Sequence, residues 1–115
     1  MHEVSIAQRI VEVIRDTADR NGGGRVASAV LRVGELSCVD PETLAFAFDL
    51  SCRGDPTLDG CSLRIERVPA RLRCRACAWE GGGDPFAGCP ACGARGFDVL
   101  DGRELRLQTI DLEQA

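Results

Sequence analysis

Apolar positions near the start of the chain repeat with a helical period. Between residues 4 and 20 they recur every three or four positions, with charged residues between them: Ala7, Ile10, Val11, Ile14 and Ala18. This pattern predicts an amphipathic helix, which begins either near Ser5, whose spacing to Gln8 is that of a capping box, or at Glu3. The run Asn21-Gly22-Gly23-Gly24 predicts its end, because these residues tolerate left-handed geometry. Residues 25–33, rich in β-branched and aliphatic side chains, predict a first strand.

A second helix has a clear start signal at Asp40-Pro41-Glu42. Aspartate is a preferred N-cap, proline fits the first helical turn, and the glutamate favours the positive end of the helix dipole. Small and large apolar residues then continue to about Cys52.

Two later segments alternate apolar and polar residues, as half-buried strands do. Cys61, Leu63 and Ile65 define one of them, with polar residues between them. The other spans residues 105–112, where the apolar phase changes near Thr109, which predicts a bulge or a strand with two apolar faces. Together these elements predict an α+β fold with two helices against one three-stranded sheet.

Two Cys-x-x-Cys motifs lie between the second and third predicted strands, separated by eleven residues: Cys74, Cys77, Cys89 and Cys92. Each motif lets two thiolates converge on one ion, and two motifs supply the four sulfurs of a closed structural zinc site. An iron cluster uses the same ligands and stays open as the alternative. A thioredoxin-like redox motif is disfavoured, because it occurs once and within a βαβ pattern. Gly93 follows the second motif, where a residue able to take a positive φ closes the turn.

The domain organisation follows from this position. We predict a zinc-ribbon domain over residues 69–99, inserted into an α+β domain formed by residues 1–68 and 100–115. A chain of 115 residues has room for one modest domain and a small metal-stabilised one.

Composition excludes several classes of protein. No apolar run reaches the ~18–20 residues of a membrane span, and charges among the first twenty residues interrupt any signal peptide. We therefore expect no membrane association and a cytoplasmic, reducing location, in which cysteines remain thiolates. The net charge of −4 argues against nucleic acid as a partner, because phosphate binding needs a basic surface.

Cys38, Cys52 and Cys61 lie outside the two motifs, and their positions predict small buried hydrophobic residues. A catalytic thiol needs a histidine or another cation to lower its pKa, and the only histidine is His2. Hydrolysis by a cysteine nucleophile is therefore poorly supported.

His2 lies beside the amino terminus, so an amine, an amide and an imidazole nitrogen fall within one short chelating segment. Nitrogen-rich square-planar sites suit Ni²⁺ or Cu²⁺. The residues alone favour the alternative of a frayed terminus that binds nothing, because chain ends are usually disordered.

The whole chain resembles the HypA family of hydrogenase nickel-incorporation proteins. The matching stretches occur in the family's order over residues 1–112: Met1-His2-Glu3, Val33-Gly34-Glu35-Leu36-Ser37, Val39-Asp40-Pro41-Glu42, the two Cys-x-x-Cys motifs and Glu104-Leu105-Arg106-Leu107. Four ribbon cysteines alone are unspecific, but joined to an initial Met-His-Glu they are highly specific. This resemblance reverses the interpretation of His2.

The resemblance implies a nickel metallochaperone that delivers Ni²⁺ to the large subunit of [NiFe]-hydrogenase during maturation. Nickel is then held by the His2 imidazole with main-chain groups of Met1 and Glu3, while Cys74, Cys77, Cys89 and Cys92 hold a structural Zn²⁺. Glu3 and Asp40 are candidate assistants to metal binding or docking, and an N-cap role for Asp40 is compatible with this.

The resemblance also implies partners. The expected one is a nickel-insertion GTPase of the HypB type, which docks on the α+β domain near the nickel terminus. Some members also serve urease, so urease maturation factors are further candidates. The sequence departs from the family at Cys38, where a small residue such as glycine or alanine is expected.

Two rival functions remain to be weighed. A zinc-ribbon nucleic-acid- or protein-binding module would need basic and aromatic residues on the ribbon, which offers Trp79, Phe86 and a few arginines. A thiol-redox or hydrolytic enzyme would use Cys74 or Cys89.

Overall fold

The computed structural model describes residues 2–113, which form two helices and six strands. In chain order they are α1 (His2–Arg20), β1 (Val26–Gly34), α2 (Pro41–Cys52), β2 (Ser62–Val68), β3 (Arg71–Cys74), β4 (Glu80–Gly81), β5 (Phe97–Asp101) and β6 (Leu105–Leu112). One sheet has the strand order β2-β1-β6 and the other has the order β4-β3-β5. The predicted α+β fold, with two helices, a three-stranded sheet and an inserted four-cysteine segment, is confirmed.

The chain divides into two compact units. The first is formed by residues 1–32, 39–66 and 106–115, and the second by residues 33–38 and 67–105. Neither helix over residues 2–113 combines the length and apolarity that crossing a membrane requires.

Helix α1 carries its predicted apolar face into the core of the first unit, where Ala7, Ile14 and Ala18 are fully buried. It begins at His2, so Ser5 lies inside the helix and the capping-box start is wrong. Its end is the predicted glycine-rich turn. Gly22 and Gly23 have positive φ angles, and the Gly23 N–H donates to the Ala18 carbonyl at 2.8 Å, which satisfies a carbonyl at the end of the helix.

Helix α2 begins as predicted, with Asp40 as its N-cap and a proline in its first turn. Leu44, Ala47, Phe48 and Cys52 are buried and pack α2 into the same core, in which α1 and α2 contact each other. Phe46 and Leu50, four residues apart on α2, remain 63% and 48% exposed.

Strand β1 alternates as a strand with one buried face does, with Ala29, Leu31 and Val33 nearly inaccessible to solvent. In β6, the half-buried positions change phase between Leu107 and Ile110, as the sequence predicts.

The segment of residues 33–38 is hydrogen-bonded to two separate parts of the second unit. The Gly34 N–H donates to the Glu104 carbonyl at 2.6 Å, the Glu35 N–H to that of Val68 at 2.8 Å, and the Leu36 N–H to that of Gly102 at 2.7 Å. A Cβ at Gly34 would lie 2.1 Å from the Gly102 oxygen, so only glycine fits there. The sequence indicates only a link between β1 and α2. In the structure this segment also joins the residues near Val68 to those near Gly102.

The inserted segment has its own small core, formed by Leu72, Cys74, Cys89 and Phe97. The rings of Trp79 and Phe97 meet edge to face with their centroids 6.2 Å apart. Strands β3, β4 and β5, which the sequence does not reveal, form the sheet beside this core.

Candidate metal centre

The two Cys-x-x-Cys motifs fold into turns with the same hydrogen bonds. In the first, the Ala76 N–H approaches the Cys74 Sγ at 3.4 Å and the Ala78 N–H donates to the Cys74 carbonyl at 2.9 Å. The second repeats this arrangement, with Ala91 on the Cys89 Sγ at 3.4 Å and Gly93 on the Cys89 carbonyl at 2.8 Å. Backbone N–H groups aimed at sulfur favour the thiolate, which is the form that binds a metal.

The four sulfur atoms converge. All of them lie within 4.8 Å of one another, and no other group of three or more metal-ligating side chains is found within residues 2–113. The Cys74–Cys92 and Cys77–Cys89 sulfur distances are both 3.7 Å. A tetrahedral ion with metal–sulfur bonds of ~2.3 Å requires sulfurs roughly 3.8 Å apart, whereas a disulfide requires about 2.05 Å. The donor set therefore fits a single tetrahedral metal ion and not two disulfides.

The electrostatics of this cluster favour a bound cation. The N–H of Cys77, followed by that of Ala76, lowers the pKa of Cys74 to about 7 against the desolvation that opposes it. The Trp79 N–H lowers the pKa of Cys77, but desolvation and the neighbouring cysteine sulfurs outweigh it and raise that pKa to about 12. The thiolate of Cys74 forms readily, and its negative charge opposes ionisation of the neighbouring cysteines. Four thiolates in one cluster therefore require a metal ion to compensate their charge.

The three remaining cysteines behave differently from one another. Cys52 and Cys61 are buried as predicted, and burial raises the pKa of both, to about 12 for Cys52. The prediction for Cys38 is wrong, because this residue is exposed. Its φ of +62° explains why a glycine suits the position, since left-handed backbone is unfavourable for residues with a Cβ.

His2 is the first described residue of α1, and its side chain is 65% exposed. Its Nδ1 lies 3.9 Å from the Glu3 carboxylate, and Glu3 Oε2 accepts a hydrogen bond from the Asp40 N–H at 3.3 Å. The N–H of Glu3 itself, followed by that of Asp40, lowers the pKa of Glu3, so this carboxylate is ionised beside the imidazole. Met1, whose main-chain groups are implied as ligands by the family resemblance, lies outside the described residues.

Asp40 caps α2 with both of its carboxylate oxygens. Oδ1 accepts from the Glu42 N–H at 3.2 Å, and Oδ2 accepts from the Thr43 hydroxyl at 2.7 Å. The structure thereby brings Asp40 next to Glu3 through its backbone, while its carboxylate serves the helix. Sequence reasoning identified both residues but gave no sign of the hydrogen bond that joins them.

Three arginines at the start of the inserted segment are paired with acidic residues. Arg71 and Arg73 both contact Glu80, at 3.2 and 3.4 Å, and Arg75 contacts Asp98 at 2.9 Å. These two carboxylates offset part of the positive charge of the three arginines, which weakens the case for a nucleic-acid-binding ribbon.

A two-helix α+β unit and a four-cysteine cluster together define a small metal-binding protein. Comparison with known proteins identifies its family. Residues 1–112 match the family described as "Hydrogenase/urease nickel incorporation, metallochaperone, hypA". The chain is 45% identical over 114 residues to the hydrogenase maturation factor HypA of Geotalea uraniireducens (strain Rf4), covering 98% of this chain and 100% of that protein. With HypA of Geobacter metallireducens it shares 44% identity over 117 residues, at the same coverage.

The fold is also that of a solved structure, the solution structure of the Ni metallochaperone HypA from Helicobacter pylori. The TM-score is 0.68 at 20% identity, and the match covers 96% of both chains. The chain belongs to the HypA family of hydrogenase maturation factors. This is a family of nickel metallochaperones and not of enzymes.

Proposed function

We propose that this chain binds Ni²⁺ at its amino terminus and delivers it to the large subunit of [NiFe]-hydrogenase. The observation that carries the proposal is the family match over residues 1–112, which includes Met1-His2-Glu3, together with an exposed His2 imidazole beside an ionised Glu3. The His2 imidazole supplies one nitrogen ligand, and main-chain groups of Met1 and Glu3 supply the others.

The position of His2 at the start of a helix supports this ligand set. The first four N–H groups of an α-helix have no carbonyl partner within the helix. Deprotonation of these amides by Ni²⁺ therefore breaks no helical hydrogen bond. A negative charge close to the cation also helps, and Glu3 supplies it, held in place by the Asp40 N–H. Glu3 and Asp40 thus act as assistants to the site.

The second metal in the proposal is a structural Zn²⁺ bound by Cys74, Cys77, Cys89 and Cys92. Their sulfur geometry and their buried members Cys74 and Cys89 support a closed site that retains its ion. Residues 69–99 then form the zinc ribbon, and residues 1–68 and 100–115 form the nickel-binding domain. A closed cage holds one metal, whereas a few ligands at a chain terminus can release the other.

The proposed partners are a GTPase of the HypB type and the hydrogenase large subunit, in the cytoplasm, with urease maturation factors as further recipients. The family description names both hydrogenase and urease. In the first unit, a cleft of about 320 Å³ beside the exposed Phe46 and Leu50 is lined also by Val4 and Thr43, which lie close in sequence to Glu3 and Asp40. This apolar surface suits a docking GTPase.

The replacement His2→Ala tests the nickel site. It removes the only imidazole of the chain, so calorimetry on untagged protein should show that high-affinity Ni²⁺ binding is lost. Native mass spectrometry should show an unchanged zinc content, because the cysteine cluster keeps all of its ligands. Gln8→Ala, an exposed polar position further along α1, is the matched control and should bind nickel normally.

Unaltered nickel affinity in His2→Ala would show that the terminal site is wrong.

A second measurement separates docking from metal binding: Phe46→Ser should weaken the complex with the GTPase while it leaves nickel binding intact. Equal GTPase binding by Phe46→Ser would refute the docking surface without touching the nickel proposal.

A further inference from the structure

A cleft in the second unit serves neither of the proposed metals. Its volume is about 560 Å³, within the ~300–1,000 Å³ of ordinary ligand sites. Its walls combine apolar and charged residues of that unit: Leu36, Pro85, Phe86, Val99, Glu35, Asp84 and Arg103. The four cysteine ligands are not among the residues that line it.

The turn at residues 84–87 holds an aromatic ring at this cleft. The Phe86 N–H donates to Asp84 Oδ1 at 2.8 Å, and the Ala87 N–H donates to the Asp84 carbonyl at 3.2 Å. Pro85 restricts the backbone between them. The side chain of Phe86 is nevertheless 85% exposed, the largest exposed fraction among the large hydrophobic residues within residues 2–113. Aromatic residues, phenylalanine among them, are enriched at protein interfaces relative to the rest of the surface.

Two carboxylates and one guanidinium line the cleft, and neither carboxylate forms an ion pair with the guanidinium. The Asp84 carboxylate is used by the turn, and the Glu35 carboxylate accepts a hydrogen bond from the Ala70 N–H at 3.4 Å. Arg103 is exposed and forms no ion pair with any residue from 2 to 113. A guanidinium group beside apolar side chains is complementary to a ligand that carries a carboxylate next to an apolar group.

The strand that borders the cleft points to a ligand with an extended backbone. Val99 lies in β5, which is an outer strand of the β4-β3-β5 sheet. The outer side of such a strand offers N–H and C=O groups to an added chain, and pockets beside it select alternate side chains of that chain.

We propose that this cleft binds an extended peptide segment of a partner protein, in which an aliphatic side chain packs on Phe86 and a neighbouring carboxylate pairs with Arg103. The peptide lies along β5. This inference goes beyond nickel delivery, because it requires neither His2 nor a bound nickel ion. It gives the ribbon a recognition surface in addition to its metal site.

The test uses the full-length, zinc-loaded chain and a phage-displayed library of random octapeptides. Selection should enrich peptides with an aliphatic residue next to Asp or Glu. An enriched peptide, labelled with fluorescein, is then measured by anisotropy against the variants Phe86→Ala and Arg103→Gln. Each variant should weaken binding by about tenfold or more, the size expected for a lost contact worth about 1.4 kcal/mol. Arg95→Gln, an exposed arginine of the same unit outside the cleft, and Phe46→Ala, an exposed phenylalanine of the other unit, are matched controls and should bind normally.

A second arm does not depend on the folding of any variant. Replacing the acidic residue of the peptide by its amide should weaken binding to the unmodified protein by a similar factor, and bound peptide should shift the amide resonances of Phe86, Val99 and Leu100. The absence of enrichment, an amide peptide that binds equally well, or unchanged affinity in Arg103→Gln would each overturn the proposal. His2→Ala should bind the peptide normally, which separates this result from the fate of the nickel proposal.

Discussion

At the scale of single residues, the two cysteine turns are nearly identical but differ where the chain leaves each turn. Gly93 has a φ of +76°, whereas Ala78 takes the equivalent position with a φ of +65°. A residue with a Cβ in left-handed backbone costs of order 1 kcal/mol, which glycine avoids. The first turn therefore carries strain that the second does not.

We expect Ala78→Gly to be more favourable than Ala76→Gly by roughly 1 kcal/mol, because only Ala78→Gly relieves left-handed strain, and we expect Gly93→Ala to destabilise the metal-loaded protein, as measured by thermal unfolding. Ala76→Gly is the matched control. Ala76 lies in the same turn and has no positive φ. Its replacement by glycine adds freedom to the unfolded chain and should destabilise the protein by about 0.5–1 kcal/mol. A stabilising Ala76→Gly would show that the left-handed geometry at Ala78 is not the cause.

Single positions differ in whether the residue itself indicates its backbone conformation. Gly93 was predicted to close its turn, because glycine after a Cys-x-x-Cys motif is itself a signal of a positive φ. Ala78 gives no such signal, and its conformation follows only from the hydrogen bonds that both turns share. Cys38 was predicted to be buried from its position along the chain, but it is exposed and has a left-handed backbone conformation.

At the scale of elements, Asp55 ties helix α1 to the loop that follows α2. Its carboxylate pairs with Arg15 of α1 and accepts a hydrogen bond from the Thr57 N–H at 2.8 Å. Desolvation raises the pKa of Asp55, but the Thr57 N–H and the Arg15 guanidinium outweigh it and lower the pKa below its usual value of 3.8. The ionised carboxylate is therefore favoured in the folded state.

This shift predicts a pH-dependent effect of Asp55→Asn. A carboxyl group whose pKa is lowered on folding stabilises the protein above its unfolded pKa, and this stabilisation is lost as the pH falls through the lower folded value. The variant should lose about 1.5–3 kcal/mol in urea unfolding at pH 7, the range for a hydrogen bond to a charged group, and the difference should shrink below about pH 4.

The control for this effect is Asp59→Asn, at an exposed position of the same loop. Comparing each variant with the parent protein at the same pH cancels the acid sensitivity of the cysteine site. A loss for Asp55→Asn that stays equal at pH 7 and pH 3 would contradict an electrostatic origin.

Elements differ in how well the sequence predicts them, and the reason is the range of the interactions that define them. Helix α2 is set by adjacent residues, Asp40, Pro41 and Glu42, so its start was predicted correctly. Strands β3, β4 and β5 have 4, 2 and 5 residues, too few for a periodic pattern to show. The role of Gly34 depends on Gly102 and Glu104, which are distant in sequence, so no local pattern reveals it.

The site shows the same division. The four cysteines were recognised as one cluster from their spacing, because each Cys-x-x-Cys turn brings its own two sulfurs together and a closed metal site needs two such pairs. The link from Glu3 to the Asp40 N–H joins two helix starts that are 37 residues apart, and only the folded chain brings them together.

At the scale of the whole molecule, the seven cysteines lie in three different environments. Their reactivity can therefore show whether each of the two units is folded. Cys38 is exposed and free, Cys52 and Cys61 are buried, and the remaining four form the metal cluster of the second unit. A thiol reacts as its thiolate, so burial that raises its pKa protects it from alkylation. A bound metal protects its ligands because each sulfur is engaged in a bond to the ion.

These environments predict three steps of alkylation by iodoacetamide, counted by mass spectrometry on zinc-loaded protein. Cys38 should react first and alone, because it is the exposed cysteine outside the metal cluster. A strong chelator should then expose Cys74, Cys77, Cys89 and Cys92, since their protection comes from the ion. Cys52 and Cys61 should stay unmodified until denaturant unfolds the first unit, because the apolar core that raises their pKa does not contain the metal. If the chelator exposed Cys52 and Cys61 together with the four ligands, the first unit would depend on zinc for its fold. If the four ligands reacted before any chelator was added, they would not be holding a metal ion.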